Sequence, residues 1–94
     1  MHISEFQELI ARTYGERDAS RGVATSVAWL TEEVGELARA LRKGTAEEQR
    51  EEFADVLAWL VSLAHQAGID LGVVAGQRYG GGCPKCGAIP CECD

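Results

Sequence analysis

Residues 23–43 read VATSVAWLTEEVGELARALRK. Val27, Leu30, Val34, Leu37 and Leu41 recur at alternating steps of three and four, the spacing of an apolar seam along one side of an α-helix. Arg42 and Lys43 sit in the last turn, where cations complement the helix dipole, and Gly44 follows as a stop. Gly35 lies inside the run, where it costs roughly 1 kcal/mol relative to Ala. That cost points to a neighbouring backbone or ligand approaching closely at Gly35.

Working outward, Thr45 and Glu48 form a capping-box pattern ahead of a second long helix over residues 46–67. Phe53, Val56, Leu57, Leu60, Leu63 and Ala64 form its core side. Gly68 stops it, and Ile69 is placed for the hydrophobic contact that follows a Schellman end. Asp70 caps a short helix over LGVVAGQRY, residues 71–79. Upstream, residues 3–14 carry Ile3, Phe6, Leu9 and Ile10 at helical spacing, and the polar GERDASRG of residues 15–22 reads as a loop. Each long helix is about 30 Å. A hairpin of two such helices leaves half its apolar surface in water. The expected fold is therefore all-α: a helical hairpin pairing into a four-helix-bundle homodimer, or a dimer of dimers. Residues 1–79 form its domain, and residues 80–94 a glycine linker and a small cysteine knuckle.

The 94 residues carry 9 Lys and Arg against 15 Asp and Glu, a formal net charge of −6, with 46% hydrophobic residues. Such a chain is too apolar for intrinsic disorder. It has no apolar run near the roughly 18 residues of a membrane span. The N-terminal MHISEFQEL lacks the basic and apolar regions of a secretion signal, so a cytoplasmic protein without a membrane is expected. The acid excess argues against a nucleic-acid polymer as partner.

The placement of the acids is more informative than their number. At about 100° per residue, Trp29, Glu33 and Glu36 fall on one stripe beside the first seam. Glu52, Asp55 and Trp59 fall on a matching stripe beside the second. In an antiparallel hairpin the two stripes face one another. Four carboxylates then converge at a half-buried edge, where they repel unless a divalent cation neutralises them. Oxygen-only ligands suit Mg²⁺ or Mn²⁺. The remaining glutamates, such as Glu5, Glu47 and Glu51, are read as solvated helix surface, and His2 and His65 as surface or interface residues. The two tryptophans are either packing residues or walls of a pocket.

The strings Glu32-Glu33-Val34-Gly35-Glu36-Leu37, Glu52-Phe53-Ala54-Asp55-Val56-Leu57 and Gly68-Ile69-Asp70-Leu71 resemble the MazG-like nucleoside triphosphate pyrophosphohydrolases. These belong to the all-α NTP pyrophosphatase superfamily, with an E-E-x-x-E, spacer, E-x-x-D pattern. The resemblance spans about residues 23–79. It implies hydrolysis of a (deoxy)nucleoside triphosphate to the monophosphate and pyrophosphate. By position, Glu33, Glu36, Glu52 and Asp55 would hold Mg²⁺ (or Mn²⁺), and Glu32 would orient or deprotonate the attacking water or help hold a second ion. Trp59 matches a position often aromatic in the family, and Trp29 is a further candidate for base or sugar contact. Longer relatives add a lysine, an asparagine and a Lys-Tyr-Pro ending that clamp phosphates. Here Arg78 stands in for one lysine. Lys43, with Arg39, Arg17 or Arg21, is a candidate for the rest.

Cys83, Cys86, Cys91 and Cys93 all lie in the last twelve residues. They cannot staple the helical body, and Cys-x2-Cys followed by Cys-x-Cys reads as a local knuckle. Four thiolates suit a structural, tetrahedral Zn²⁺. Redox disulfides or a bis-thiol metal carrier are the alternatives for this tail. For the whole chain, the alternative to a hydrolase is a non-catalytic helical dimer that binds nucleotide or a protein partner through the tail. A diiron bundle needs Glu-x-x-His pairs, which are absent.

Overall fold

The computed structural model describes residues 1–94 as four α-helices and no strands. They are α1 (Ile3–Arg21), α2 (Val23–Lys43), α3 (Ala46–Gln66) and α4 (Leu71–Tyr79). The all-α fold class is the expected one. No single helix is long and apolar enough to cross a membrane.

The α2–α3 hairpin is the centre of the molecule. Gly44 and Thr45 alone separate the two helices, so they run antiparallel. The Thr45 hydroxyl oxygen accepts the Glu48 N–H at 3.1 Å, giving one half of the expected capping box. The Glu48 carboxylate takes the Thr45 hydroxyl at 3.3 Å rather than a backbone N–H. Gln49 Nε2 donates to the Ala40 carbonyl at 3.1 Å, tying the turn end of the hairpin. At the other end Gln66 Nε2 reaches Ser26 Oγ at 3.1 Å.

The end of α3 has the expected Schellman geometry. Gly68 sits at φ 73°, Ile69 N–H donates to the Ala64 carbonyl at 2.8 Å, and Gly68 N–H donates to that of His65 at 3.0 Å. Asp70 caps α4 by accepting the Val73 N–H at 3.2 Å. The Ser4 hydroxyl donates to the same carboxylate at 2.6 Å. Ser4 first, then Val73, hold Asp70 below its ordinary pKa.

One element differs from the sequence expectation. Residues 15–22 are not a loop. α1 continues through Gly15 to Arg21, and the break falls only at Gly22, whose φ is 89°. Without a proline, the single Gly15 lowers helix propensity but does not end the helix. The extra turns bring α1 against α3, where Ser62 Oγ donates to Asp18 Oδ2 at 2.6 Å in a buried position. α1 also holds α4: Gln7 Nε2 donates to the Ile69 carbonyl at 2.7 Å, and Gln7 Oε1 accepts the Leu71 N–H at 2.9 Å.

The seams are largely uncovered. Only 7 of 94 residues are buried, so one chain does not enclose a core of ordinary size. Leu30, Leu37, Val56, Leu63 and Ala64 are half-buried, whereas Val27, Val34, Leu41, Phe53, Leu57 and Leu60 are exposed. The expected close approach at Gly35 does not occur within the chain, since a Cβ there would meet no atom within 4 Å.

Ser62→Ala leaves the buried Asp18 carboxylate without its donor. It is expected to lower unfolding free energy by about 1–3 kcal/mol. Urea denaturation at matched protein concentration measures this, and Asp18→Asn, which keeps an acceptor for Ser62, is expected to cost less.

Candidate functional site

The hairpin register places Glu33 and Glu36 of α2 against Glu52 of α3. One carboxylate oxygen from each lies within 4.8 Å of the others. Glu33 and Glu52 are half-buried and Glu36 is exposed. Glu33 Oε2 and Glu52 Oε2 are both buried without any hydrogen-bond partner. Buried carboxylate oxygens normally accept hydrogen bonds or face a cation. Burial, then contact with the Glu52 carboxyl, then the charges of Glu36, Glu52 and Asp55, push the Glu33 pKa up to about 7. An oxygen-only set with two unsatisfied buried acceptors fits a hard divalent ion such as Mg²⁺.

Three of the four expected ligands thus converge. Asp55, one turn after Glu52 and with a shorter side chain, stands outside the tight group. It lines a cleft beside Glu33. Glu32 is exposed and lines a separate depression with Trp29, Ala24, Thr25 and Ala28. The indoles of Trp29 and Trp59 stack across the hairpin, with centroids 5.8 Å apart and planes 6° from parallel. This stack lies one turn from the acids on both helices, since Trp29 precedes Glu33 by four residues and Trp59 follows Asp55 by four.

Two clefts flank the acids. The first, about 340 Å³, is walled by Ile10, Tyr14, Ala58 and Trp59, and Arg17, Arg21, Glu33 and Asp55 also line it. The second, about 500 Å³, contains Glu36 and Glu52 together with Arg39, Lys43 and Glu48, and its only apolar wall is Ala40. Lys43 thus lines the same cleft as Glu36 and Glu52. Arg78 does not: it is exposed on α4, its guanidinium 5.7 Å from the Tyr79 ring centroid, outside both clefts.

The α1 wall of the first cleft is the part that sequence reasoning missed. Ile10, Tyr14, Arg17 and Arg21 fall at i, i+4, i+7 and i+11, a helical stripe that runs through the segment read as a loop. The two histidines stay away from the acids: exposed His2 precedes α1, its backbone N–H donating to Glu5 at 3.1 Å, and His65 is exposed in the last turn of α3.

The four cysteine sulfurs form a second cluster, all within 4.8 Å of one another. Backbone amides, Glu92 first, lower the Cys86 pKa to about 6, and those of Cys86 and Lys85 lower Cys83. Neighbouring thiols, Cys91 first, push Cys93 up to about 11.

Compared with known families, residues 21–79 match the model of the MazG nucleotide pyrophosphohydrolase domain. The match contains both acidic stripes, the tryptophan pair and α4, and excludes the cysteines and all of α1 except its last residue, Arg21. No curated protein matches the chain.

The raised Glu33 pKa has a stability consequence. Between its ordinary value of 4.5 and about 7 the folded chain retains a proton that the unfolded chain has released. Stability without divalent ions is therefore expected to fall as pH rises across that window. Urea midpoints from pH 5 to 7.5 test this, and Glu33→Gln is expected to flatten the decline.

Proposed function

The chain belongs to the MazG nucleotide pyrophosphohydrolase family, and we propose that it hydrolyses a nucleoside triphosphate to the monophosphate and pyrophosphate with a divalent ion, Mg²⁺ or Mn²⁺. The observation that carries this reading is the pair of buried, partnerless oxygens on Glu33 and Glu52, with Glu36 alongside. The ion would neutralise polyphosphate charge, polarise the phosphorus under attack and make a water nucleophilic near neutral pH.

The chain's own groups divide the substrate between the two clefts. The first has the apolar walls, and Trp59 and Tyr14 there offer faces to a base while Arg17 and Arg21 meet the α-phosphate end. The second is almost wholly polar, and Arg39 and Lys43 there suit the departing pyrophosphate. The acids lie between, where the α–β phosphoanhydride bond would sit. Asp55, close enough to raise the Glu33 pKa by its charge, is the proposed fourth ligand. Trp29 backs Trp59 through the stack. Glu32 projects into the separate Trp29 depression, so the proposal gives it no ligand position within this chain. The exposed seam residues on α2 and α3 support a homodimer or homotetramer, which would bury Val27, Val34, Leu41 and Phe53.

The position of Arg78 favours a second reading, a helical dimer that binds nucleotide without turning it over, because the phosphate clamp of longer relatives is not reproduced at α4.

A panel of NTPs and dNTPs with Mg²⁺ or Mn²⁺, scored for pyrophosphate, separates the two. Release of pyrophosphate is expected; nucleotide binding with no release from any member selects the binder. Glu52→Gln and Glu36→Ala are each expected to lower kcat by about 100-fold or more with helicity and oligomeric state retained. Lys43→Ala is expected to weaken product inhibition by pyrophosphate about tenfold while leaving inhibition by the monophosphate unchanged.

A further inference from the structure

The family match ends at residue 79, and the cysteine cluster lies wholly beyond it. Residues 80–94 contain no helix or strand. They also enclose no apolar core: Ile89, the largest apolar side chain there, is 82% exposed. Yet the backbone is folded tightly. Gly87 N–H donates to the Cys83 carbonyl at 2.7 Å, and Cys83 N–H donates to that of Ala88 at 3.2 Å. Gly87 takes φ 73° to close this turn. Gly82, at φ 103°, lets Ile89 pass so close that a Cβ would fall 2.8 Å from its Cγ1. The hydrogen bonds of residues 83–93 stay within the segment, and Gly82 N–H just before it donates to the Tyr79 carbonyl at the end of α4 at 3.0 Å.

What this turn organises is sulfur. The Cys83–Cys91, Cys83–Cys93 and Cys86–Cys91 Sγ separations are 3.6, 3.7 and 4.0 Å. A disulfide needs about 2.05 Å, and all four cysteines are free. A tetrahedron with metal–sulfur bonds of about 2.3 Å has edges of about 3.8 Å. The observed separations bracket that edge. Backbone donors point at the sulfurs as well: Glu92 N–H to Cys86 Sγ at 3.4 Å, and Cys93 N–H to Cys91 Sγ at 3.3 Å. Such bonds disperse charge on a tetrathiolate.

We propose that Cys83, Cys86, Cys91 and Cys93 bind one Zn²⁺ per chain in a closed site, and that this ion folds residues 82–93 as a unit independent of the helical domain. Four protein ligands leave no open position, so the ion is structural and takes no part in hydrolysis. Zn²⁺ fits better than a redox iron, because the site is solvent-exposed and has no apolar shell to control a potential.

The test uses the full chain. Elemental analysis after purification is expected to give about one zinc per chain, and none in Cys83→Ser/Cys86→Ser. Substitution with Co²⁺ is expected to give the visible and thiolate charge-transfer bands of a tetrahedral tetrathiolate. On zinc removal, amide resonances of residues 82–93 are expected to collapse to random-coil positions, with those of α2 and α3 unmoved, and to return on adding ZnCl₂. Iron in place of zinc, an intact mass lower by the hydrogens of two disulfides, or zinc retained by the double variant overturns the site. Helical resonances that melt with the knuckle overturn its independence. None of these readouts depends on nucleotide hydrolysis, so the zinc proposal and the hydrolase reading fail separately.

Discussion

Two carboxylates, Glu33 and Glu52, face each other across the α2–α3 hairpin with oxygens that no donor reaches. That contact is unfavourable when both are ionised and alone. The hairpin fixes the backbone positions from which the two side chains meet. Gln49 bonded to Ala40 and Gln66 bonded to Ser26 hold the two ends of the hairpin, and the stacked indoles hold its middle. In this arrangement the charge is met by a proton on Glu33, whose pKa is pushed up to about 7, or by a cation. A protein built for neither would be expected to have an apolar or amide pair here. The partnerless buried oxygens are the physical basis of the proposal that the hairpin holds a metal ion.

Much of this was legible in residue spacing. The seam in residues 23–43 and the acids one stripe away are properties of a 3.6-residue period, and a two-residue turn makes the helices antiparallel. The caps at Gly68 and Asp70 rest on local chemistry and match the expectation, and Thr45 caps α3 with one half of the expected box. The misreadings concern what local chemistry does not decide. The polar GERDASRG segment, with Gly15 and Gly22 at its ends, has the composition of a loop. Yet its Asp18 is satisfied by Ser62, 44 residues away in sequence. A long-range partner of this kind turns a marginal helix into a stable one, and no local pattern announces it. Arg78 is placed by a different contact: α4 is tied to α1 by Ser4 and Gln7, and Arg78 lies outside both clefts of this chain.

The two clusters in this chain sort by chemistry. The acids offer hard oxygen ligands, with open clefts on both sides and room for substrate and water. The cysteines offer soft sulfur in a set of four that leaves nothing to exchange. Ligand type separates the ions that each would prefer. It also separates their tasks. A hard ion between clefts can meet a polyphosphate, whereas a closed thiolate site can only hold backbone together.

Burial connects the site to assembly. A chain with seven buried residues and exposed Val27, Val34, Leu41, Phe53, Leu57 and Leu60 leaves its apolar stripe unfinished. That stripe belongs to the same two helices as the acids but to a neighbouring face. A second hairpin laid on it would bury the seam, whereas the α1 wall of the first cleft belongs to a separate helix. The added hairpin would also stiffen the one whose register brings Glu33 against Glu52. Helix pairing and charge convergence are then two consequences of one periodicity. Covered by a partner, leucine and valine at steps of three and four would supply the attraction that holds the carboxylates closer than they would stay by themselves.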